Sequence, residues 1–251
     1  MLMEFKIDLN CDMAEGIGNE ALIMPWISSA NIACGYHAGD EDLMKFTVDL
    51  CMEHTVAIGA HPSFPDRANF GRTIMELPLN QLFDIVLEQI TLLKKITDSS
   101  GARLHHVKPH GALYNMAAKD PFLSEAICNA IMQIDGSLIF YGLSGSSMID
   151  QARKQNLISV NEVFADRTYQ SDGSLTPRTQ KDALLTDEGL VRKQAIRFAK
   201  DGEVIDIHGN QIRLKADSIC LHSDGENAVA HAKSIHEALV NHGIRIQALK
   251  N

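Results

Sequence analysis

Long apolar runs are missing from this sequence. No stretch approaches the ~20 apolar residues that span a bilayer, so no membrane partner is expected. The start, Met1-Leu2-Met3-Glu4-Phe5-Lys6, enters a strand-like run without a basic segment or a small-residue cleavage site, so a cytoplasmic protein is expected. Cysteine is sparse and scattered: Cys11, Cys34, Cys51, Cys128 and Cys220 are an odd number with no C-x-x-C pair, which argues against a disulfide framework or a structural zinc knot. They read as small core residues. Positive charge is also short, 23 Lys and Arg against 32 Asp and Glu for a net charge of −9, which argues against nonspecific binding of nucleic acid or anionic membrane. An anionic substrate would therefore need a local cluster of Arg, Lys or His. No serine stands in a G-x-S-x-G elbow, so a hydrolase triad has no support. Gly142-Leu143-Ser144-Gly145-Ser146-Ser147 is glycine-rich but lacks the lysine of a P-loop, so a nucleotide site of that type is not expected in this chain.

What is present fits a large soluble core: 45% apolar and 22% charged residues over 251 positions. A single α/β domain over 1–251 is the expectation, because barrels of this class reach that size as one unit. Seven strand-like runs occur at 5–11, 30–35, 56–60, 104–108, 137–142, 159–165 and 218–221, with helical patterns between most of them. Asp40 caps one helix, Pro78 opens a longer one closed by Gly101, and Asp120-Pro121 is a cap followed by a first-turn proline. Further helices are expected at 146–155, at 187–201 before Gly202, and at 226–242 before Gly243. Two segments interrupt the alternation. A β-hairpin is expected at 204–214, and the polar, aperiodic stretch 167–186, directly after a strand end, reads as a structureless lid loop.

Repeated strand–helix alternation implies a parallel sheet, either closed or open. Strand parity favours closure. Ile7, Leu9 and Cys11 alternate with Asp8, Asn10 and Asp12; Ile32 and Cys34 alternate with Asn31, Ala33 and Gly35; Ile58 and Ala60 oppose Gly59 and His61; Ile219 and Leu221 oppose Ser218, Cys220 and His222. Strands covered by helices on both faces would be apolar on both. Here one parity is apolar, suiting an outer helix ring, and the other gathers titratable groups at the C-terminal ends, where (β/α) barrels build active sites. An irregular seven-stranded (β/α) barrel is the expected fold.

The candidate chemistry collects at those strand ends. In Val107-Lys108-Pro109-His110-Gly111-Ala112-Leu113-Tyr114-Asn115, the proline stops the strand and Lys108 and His110 share one side of the extended chain. Asp8, Asn10, Asp12 and Glu15 crowd carboxylates together, which suits general base work or a cation, and mid-strand polar residues are costly unless satisfied. His37 and His61 follow glycine-rich strand ends and with Asp12 could make a two-His, one-carboxylate site for a divalent metal; hydrogen-bonded imidazoles without metal are the equal alternative. Arg67, Arg72, Arg167 and Arg178 offer planar forks, at least one of which is expected to hold an anionic substrate. His54, His105, His231, His236 and His242 are assigned to solvated faces or the outside of a strand.

These motifs, in this order, resemble the LamB/YcsF family nearly end to end. The carriers are Asp8-Leu9-Asn10-Cys11-Asp12-Met13, Ser29-Ala30-Asn31-Ile32-Ala33-Cys34-Gly35 with His37-Ala38-Gly39-Asp40, Gly59-Ala60-His61-Pro62-Ser63, Phe70-Gly71-Arg72, the Lys108-Pro109-His110 run, Phe164-Ala165-Asp166-Arg167, Leu175-Thr176-Pro177-Arg178 and Ser218-Ile219-Cys220. Two places depart from the family pattern: Ala14 stands where it has glycine, and His222-Ser223-Asp224-Gly225-Glu226 replaces a His-Gly-Asp-Thr-Pro run. The first matters if that turn needs positive φ, which alanine tolerates poorly.

The resemblance implies a barrel of the glycoside hydrolase/deacetylase type. It also implies ATP-dependent ring opening of 5-oxoproline to L-glutamate, in a complex with two further subunits that bind most of the ATP. Self-association into a homo-oligomer is compatible with it. In that scheme Asp12 or Glu15 is the base for water, with His61 as the alternative base or a ligand. Lys108 and His110 stabilise developing charge. Asn10, Asn31, Arg72, Tyr114, Asp166, Arg167, Arg178, His222 and Asp224 form the expected substrate-binding rim, with Arg178 the first choice for the substrate carboxylate. A metal-dependent deacetylase or carbohydrate hydrolase, and a noncatalytic subunit that binds a small anion, are the competing readings.

Overall fold

The computed structural model describes residues 5–225 and 227–250. Seven parallel strands, β1 (Lys6–Met13), β2 (Ser29–Ala33), β3 (Ala57–His61), β4 (Leu104–Val107), β5 (Ile139–Leu143), β6 (Ser159–Phe164) and β9 (Ser218–Leu221), pair in that order, and β9 returns to β1. The barrel is closed. Between β6 and β9 the chain makes an antiparallel pair, β7 (Glu203–Ile205) with β8 (Gln211–Arg213). A last short strand, β10 (Arg245–Ile246), adds in parallel at the start of β1.

Among the described residues, eight α-helices accompany the strands: α1 (Glu20–Ile23), α2 (Glu41–His54), α3 (Leu79–Ser99), α4 (Gly111–Ala117), α5 (Pro121–Ile134), α6 (Ser147–Lys154), α7 (Glu188–Asp201) and α8 (Ala228–Asn241). Their starts follow local chemistry. The Asp40 and Asp120 carboxylates accept backbone N–H bonds from Leu43 and Phe122, satisfying donors that the first turn leaves free. Glu226, expected to open the last helix, lies outside the described residues. Sequence periodicity missed α1, α4 and β10, which are too short for a period to show. At α4 it expected only a glycine turn: Gly111, at φ +56, supplies that turn, and the helix starts on it.

The barrel interior is polar from floor to mouth. At the floor, Asp8 is fully buried and accepts bonds from the hydroxyls of Ser28, Ser29, Ser218 and Tyr141 at 2.5–3.0 Å. Burial nevertheless pushes its carboxyl above the ordinary range, the four hydroxyls offsetting part of that. One level up, Asn10 Nδ2 donates to Glu162 Oε1 (2.9 Å) and Ser218 Oγ (2.7 Å), and the His106 imidazole reaches Asn31 Oδ1 at 2.9 Å. A buried polar residue is tolerated when it is bonded in this way. The opposite parity, including Leu9, Cys11, Ile32, Ile58 and Ile219, packs into the apolar shell between strands and helices. All five cysteines are free and buried.

The stretch 167–186 is not structureless. Arg167 bridges to Leu184 and Tyr169 to Leu175, and the Arg167 guanidinium donates to the carbonyls of Thr176 (2.6 Å) and Ala183 (3.3 Å). Its polarity hides pairing that runs within one loop and so leaves no hydrophobic period. Among the described residues no helix is long and apolar enough to cross a membrane.

Candidate active site

At the C-terminal ends of the barrel strands a cavity of about 890 Å³ opens, lined by Asp12, His61, Arg72, Lys108, His110, Tyr114, Arg167, Arg178 and His222 among others. Lys108 stands at its floor. It follows β4 directly, its N–H still bonded to the Ala60 carbonyl at 2.9 Å, and it shares the inward parity of His106, so the long side chain enters the barrel. Its Nζ lies 2.8 Å from Asp12 Oδ1, 2.9 Å from Glu162 Oε1, 3.0 Å from Cys220 Sγ and 3.2 Å from Asn10 Oδ1. Burial opposes its charge, but Asp12 and its other anionic neighbours outweigh that and hold the ammonium well above the usual lysine range. Burial likewise opposes ionisation of Asp12, yet His61 and Lys108 hold its carboxyl well below the usual range. Glu15 goes the other way. Burial, then the Asp12 and Asp224 charges, push it up to about 9.

A second group gathers three imidazoles around Glu15. His37 and His110 stack with ring centroids 3.8 Å apart, and His61 stands edge-on to both. His110 Nδ1 is 3.0 Å from His61 Nε2 and 3.5 Å from Glu15 Oε1, and His37 Nε2 is 3.3 Å from the same oxygen. Burial pushes His110 down to about 3, with His61 adding to it, and lowers His37 further, with His110 and His61 adding. The stack needs a bare backbone beside it: a Cβ on Gly71 would come within 2.9 Å of both rings' side chains. The donor atoms of Glu15, His37, His61 and His110 lie within 4.8 Å of one another, a cluster consistent with a divalent metal. Sequence reasoning paired His37 and His61 with Asp12. In the structure the central carboxylate is Glu15, and Asp12 flanks the set, its Oδ2 3.4 Å from His61 Nε2 while its Oδ1 serves Lys108 and Asn31.

On the far side of the mouth, His222 Nδ1 is 2.9 Å from Asp166 Oδ2, leaving Nε2 toward Arg178 at 3.4 Å. Burial opposes the charge on Asp166, but His222 holds its carboxyl below the ordinary range. Arg72 pairs with Asp224 at 2.5 Å and lies over the Phe70 ring. Arg67 spends its fork on the carbonyls of Gly35 and Gly39.

The expected rim thus divides. Arg72, Tyr114, Arg167, Arg178 and His222 line the cavity; Asn10 and Asn31 lie beneath it with their amides engaged in the interior network. Arg167 lines the cavity while its donors hold the loop together. Two residues escaped sequence reasoning. Glu162, fully buried in β6, binds Lys108 through Oε1 and has the buried Tyr114 hydroxyl as a further neighbour. A carboxylate in mid-strand was its available signal. His106 shares the parity of Lys108 two residues on, and that parity was the signal for it.

The LamB/YcsF family model matches residues 7–251. The 5-oxoprolinase A subunit of Bordetella parapertussis is 49% identical over 251 residues, covering 98% of this chain and 100% of the relative. That of Bacillus cereus is 47% identical over 250 residues, covering 97% and 99%. Among solved structures, a lactam utilization protein from Thermus thermophilus superposes with a TM-score of 0.93 at 37% identity, covering 97% of this chain and 100% of that one. A family 4 carbohydrate esterase from Streptomyces lividans, at TM-score 0.51 and 11% identity over 98% of this chain and 93% of its own, shares the fold.

Proposed function

The chain belongs to the LamB/YcsF family, and on that premise we propose that it is the A subunit of a multi-subunit, ATP-dependent 5-oxoprolinase that opens the lactam of 5-oxoproline to L-glutamate. The observation that carries the reading is Lys108, a buried cation held between Asp12 and Glu162 at the floor of a cavity whose wall presents Arg178 and His222, the latter backed by Asp166. The names of the relatives, 5-oxoprolinase A subunit and lactam utilization protein, support the substrate.

An unstrained lactam is a poor electrophile, so its oxygen is activated first, by phosphorylation at the expense of ATP. This sequence carries no P-loop, and the two further subunits supply the nucleotide site. Water then adds to the activated carbon, the ring nitrogen takes a proton as the C–N bond breaks, and the acyl phosphate left behind is hydrolysed by a second water to the carboxylate and inorganic phosphate. Asp166 fixes the His222 ring through Nδ1 and leaves Nε2 to take the proton from water. Lys108 stabilises charge developing on oxygen. Asp12, held ionised, keeps Lys108 charged and in place. Arg178 holds the substrate carboxylate, and the 167–186 loop closes over it as a lid.

Glutamate release from 5-oxoproline and ATP tests this, with the purified chain alone and with both partners. Release only from the mixture supports the division of labour; release by the chain alone overturns it, and none in either case overturns the substrate. The histidine cluster favours one second reading, a metal-dependent deacetylase, which would act without ATP.

A further inference from the structure

We propose that His37 Nε2, His61 Nε2, His110 Nδ1 and Glu15 Oε1 hold a divalent first-row transition metal of the zinc class in the wall of the cavity. The inference deepens the function proposed above, since it adds a cation to the same cavity, but it stands on the donor set alone.

The far nitrogen of each ring is already committed. His61 Nδ1 is 2.7 Å from the Lys108 carbonyl and His110 Nε2 is 2.9 Å from the Phe70 carbonyl. A carbonyl only accepts, so both of those nitrogens carry the proton. His37 Nδ1 lies 2.9 Å from Ser63 Oγ, whose own hydrogen goes to the Phe64 carbonyl at 3.0 Å, so this nitrogen donates too. With all three rings neutral, each turns a lone pair toward one point, and the His61 Nε2–His110 Nδ1 pair, 3.0 Å apart, is then held either by a proton shared between the two nitrogens or by a cation set between them. Orienting the second nitrogen of a ligand histidine through a carbonyl or hydroxyl is how metal sites fix their rings.

The spacing is close to what such a site needs. Ligands at roughly 2.0–2.2 Å in tetrahedral array stand roughly 3.3–3.6 Å apart; three of the six donor separations here are 3.0, 3.3 and 3.5 Å, and the whole set falls within 4.8 Å. Three imidazoles with one carboxylate and no thiolate select zinc, cobalt or iron(II) over calcium or magnesium. A second group of donors, Asp12, Cys220 and His222, does not compete, because Lys108 Nζ already lies 2.8 Å from Asp12 and 3.0 Å from Cys220. His61 and His110 line the cavity, whereas Glu15 and His37 lie behind them. A bound ion would supply Lewis acidity toward an oxygen of the substrate on that open side.

The test reads metal, not turnover. The full chain is stripped with a chelator and titrated with cobalt(II), following visible absorption and equilibrium dialysis, without 5-oxoproline, ATP or partners. The expected result is saturable uptake of one ion per chain, the intense absorption of a four- or five-coordinate site, and displacement by zinc. Glu15→Gln and His110→Gln should weaken uptake by more than about tenfold, and Ser63→Ala, which only loosens His37 and leaves the fold intact, by roughly tenfold. Far-UV circular dichroism checks the folding of each variant. Absence of saturable uptake overturns the proposal, as does uptake with the same affinity and spectrum in Ser63→Ala and Glu15→Gln. Because the glutamate assay is separate, failure of either reading leaves the other standing.

Discussion

Gly59 and His106 occupy one volume. They are register partners on β3 and β4, and a Cβ on the glycine would sit 2.1 Å from the His106 Nε2. The missing side chain on one strand is what lets its neighbour turn an imidazole into the barrel, where it meets Asn31 Oδ1 at 2.9 Å and lies against Tyr141. Gly59→Ala must expel that ring. Overpacking and loss of the hydrogen bond together should cost roughly 2–4 kcal/mol, read as a lower urea midpoint with unchanged slope. An unchanged midpoint would mean that the interior is looser than these contacts require.

Ala14 sits at φ +60, so the turn after β1 does need the left-handed conformation that glycine adopts without strain. Alanine there carries strain of roughly 1–2 kcal/mol, part of which a glycine would return as unfolded-chain entropy. Ala14→Gly should therefore stabilise the protein by about 0.5–1 kcal/mol. Thermal unfolding measures it, and a destabilised variant would show that the methyl packs for more than its strain.

Asp8 gives a pH signature. Burial raises its folded pKa above the ordinary 3.8, so the folded state binds the proton more tightly than the unfolded chain. The stability that this lends is present below the ordinary value and is lost as pH rises through the raised one. The margin of the wild type over Asp8→Asn should accordingly shrink with rising pH and then level off, in urea titrations across the acid range. A margin that grows with pH would reverse the sign of the shift.

The alternation of Asp8, Asn10 and Asp12 with Ile7, Leu9 and Cys11 made the barrel legible, because parity reports which face meets helices and which meets the interior. Lys108, His61, His110 and Asp12 were legible as strand-end polar groups. What could not be read was partnership across strands. Nothing in linear order says that Glu162 meets Lys108 from two strands away, or that Glu15 and not Asp12 completes the histidine group. Those pairings come from barrel closure and register. The loop 167–186 escaped for the opposite reason, since its bridges are local and its residues polar.

The Asp166–His222 pair predicts a distinct kinetic change. Asp166→Asn can donate to Nδ1 and favour the wrong ring tautomer, which should lower turnover of the assembled complex at least about a hundredfold. A variant with wild-type turnover would remove His222 from proton transfer.

Lys108 separates stability from chemistry. Lys108→Ala leaves Asp12 and Glu162 buried without their cation, and breaking such a pair costs roughly 3–5 kcal/mol. Adding Glu162→Gln removes one orphaned charge, so the double variant should recover part of that loss. Turnover should not follow, because the lost ammonium would stabilise charge on the substrate and no neighbour can replace it; both variants should fall at least about a hundredfold in the assembled complex. Urea unfolding beside glutamate release reads the two quantities on the same preparations. If turnover recovers together with stability, Lys108 is a structural counter-ion and the charge-stabilising role passes to another cation of the rim, with Arg178 the next to test.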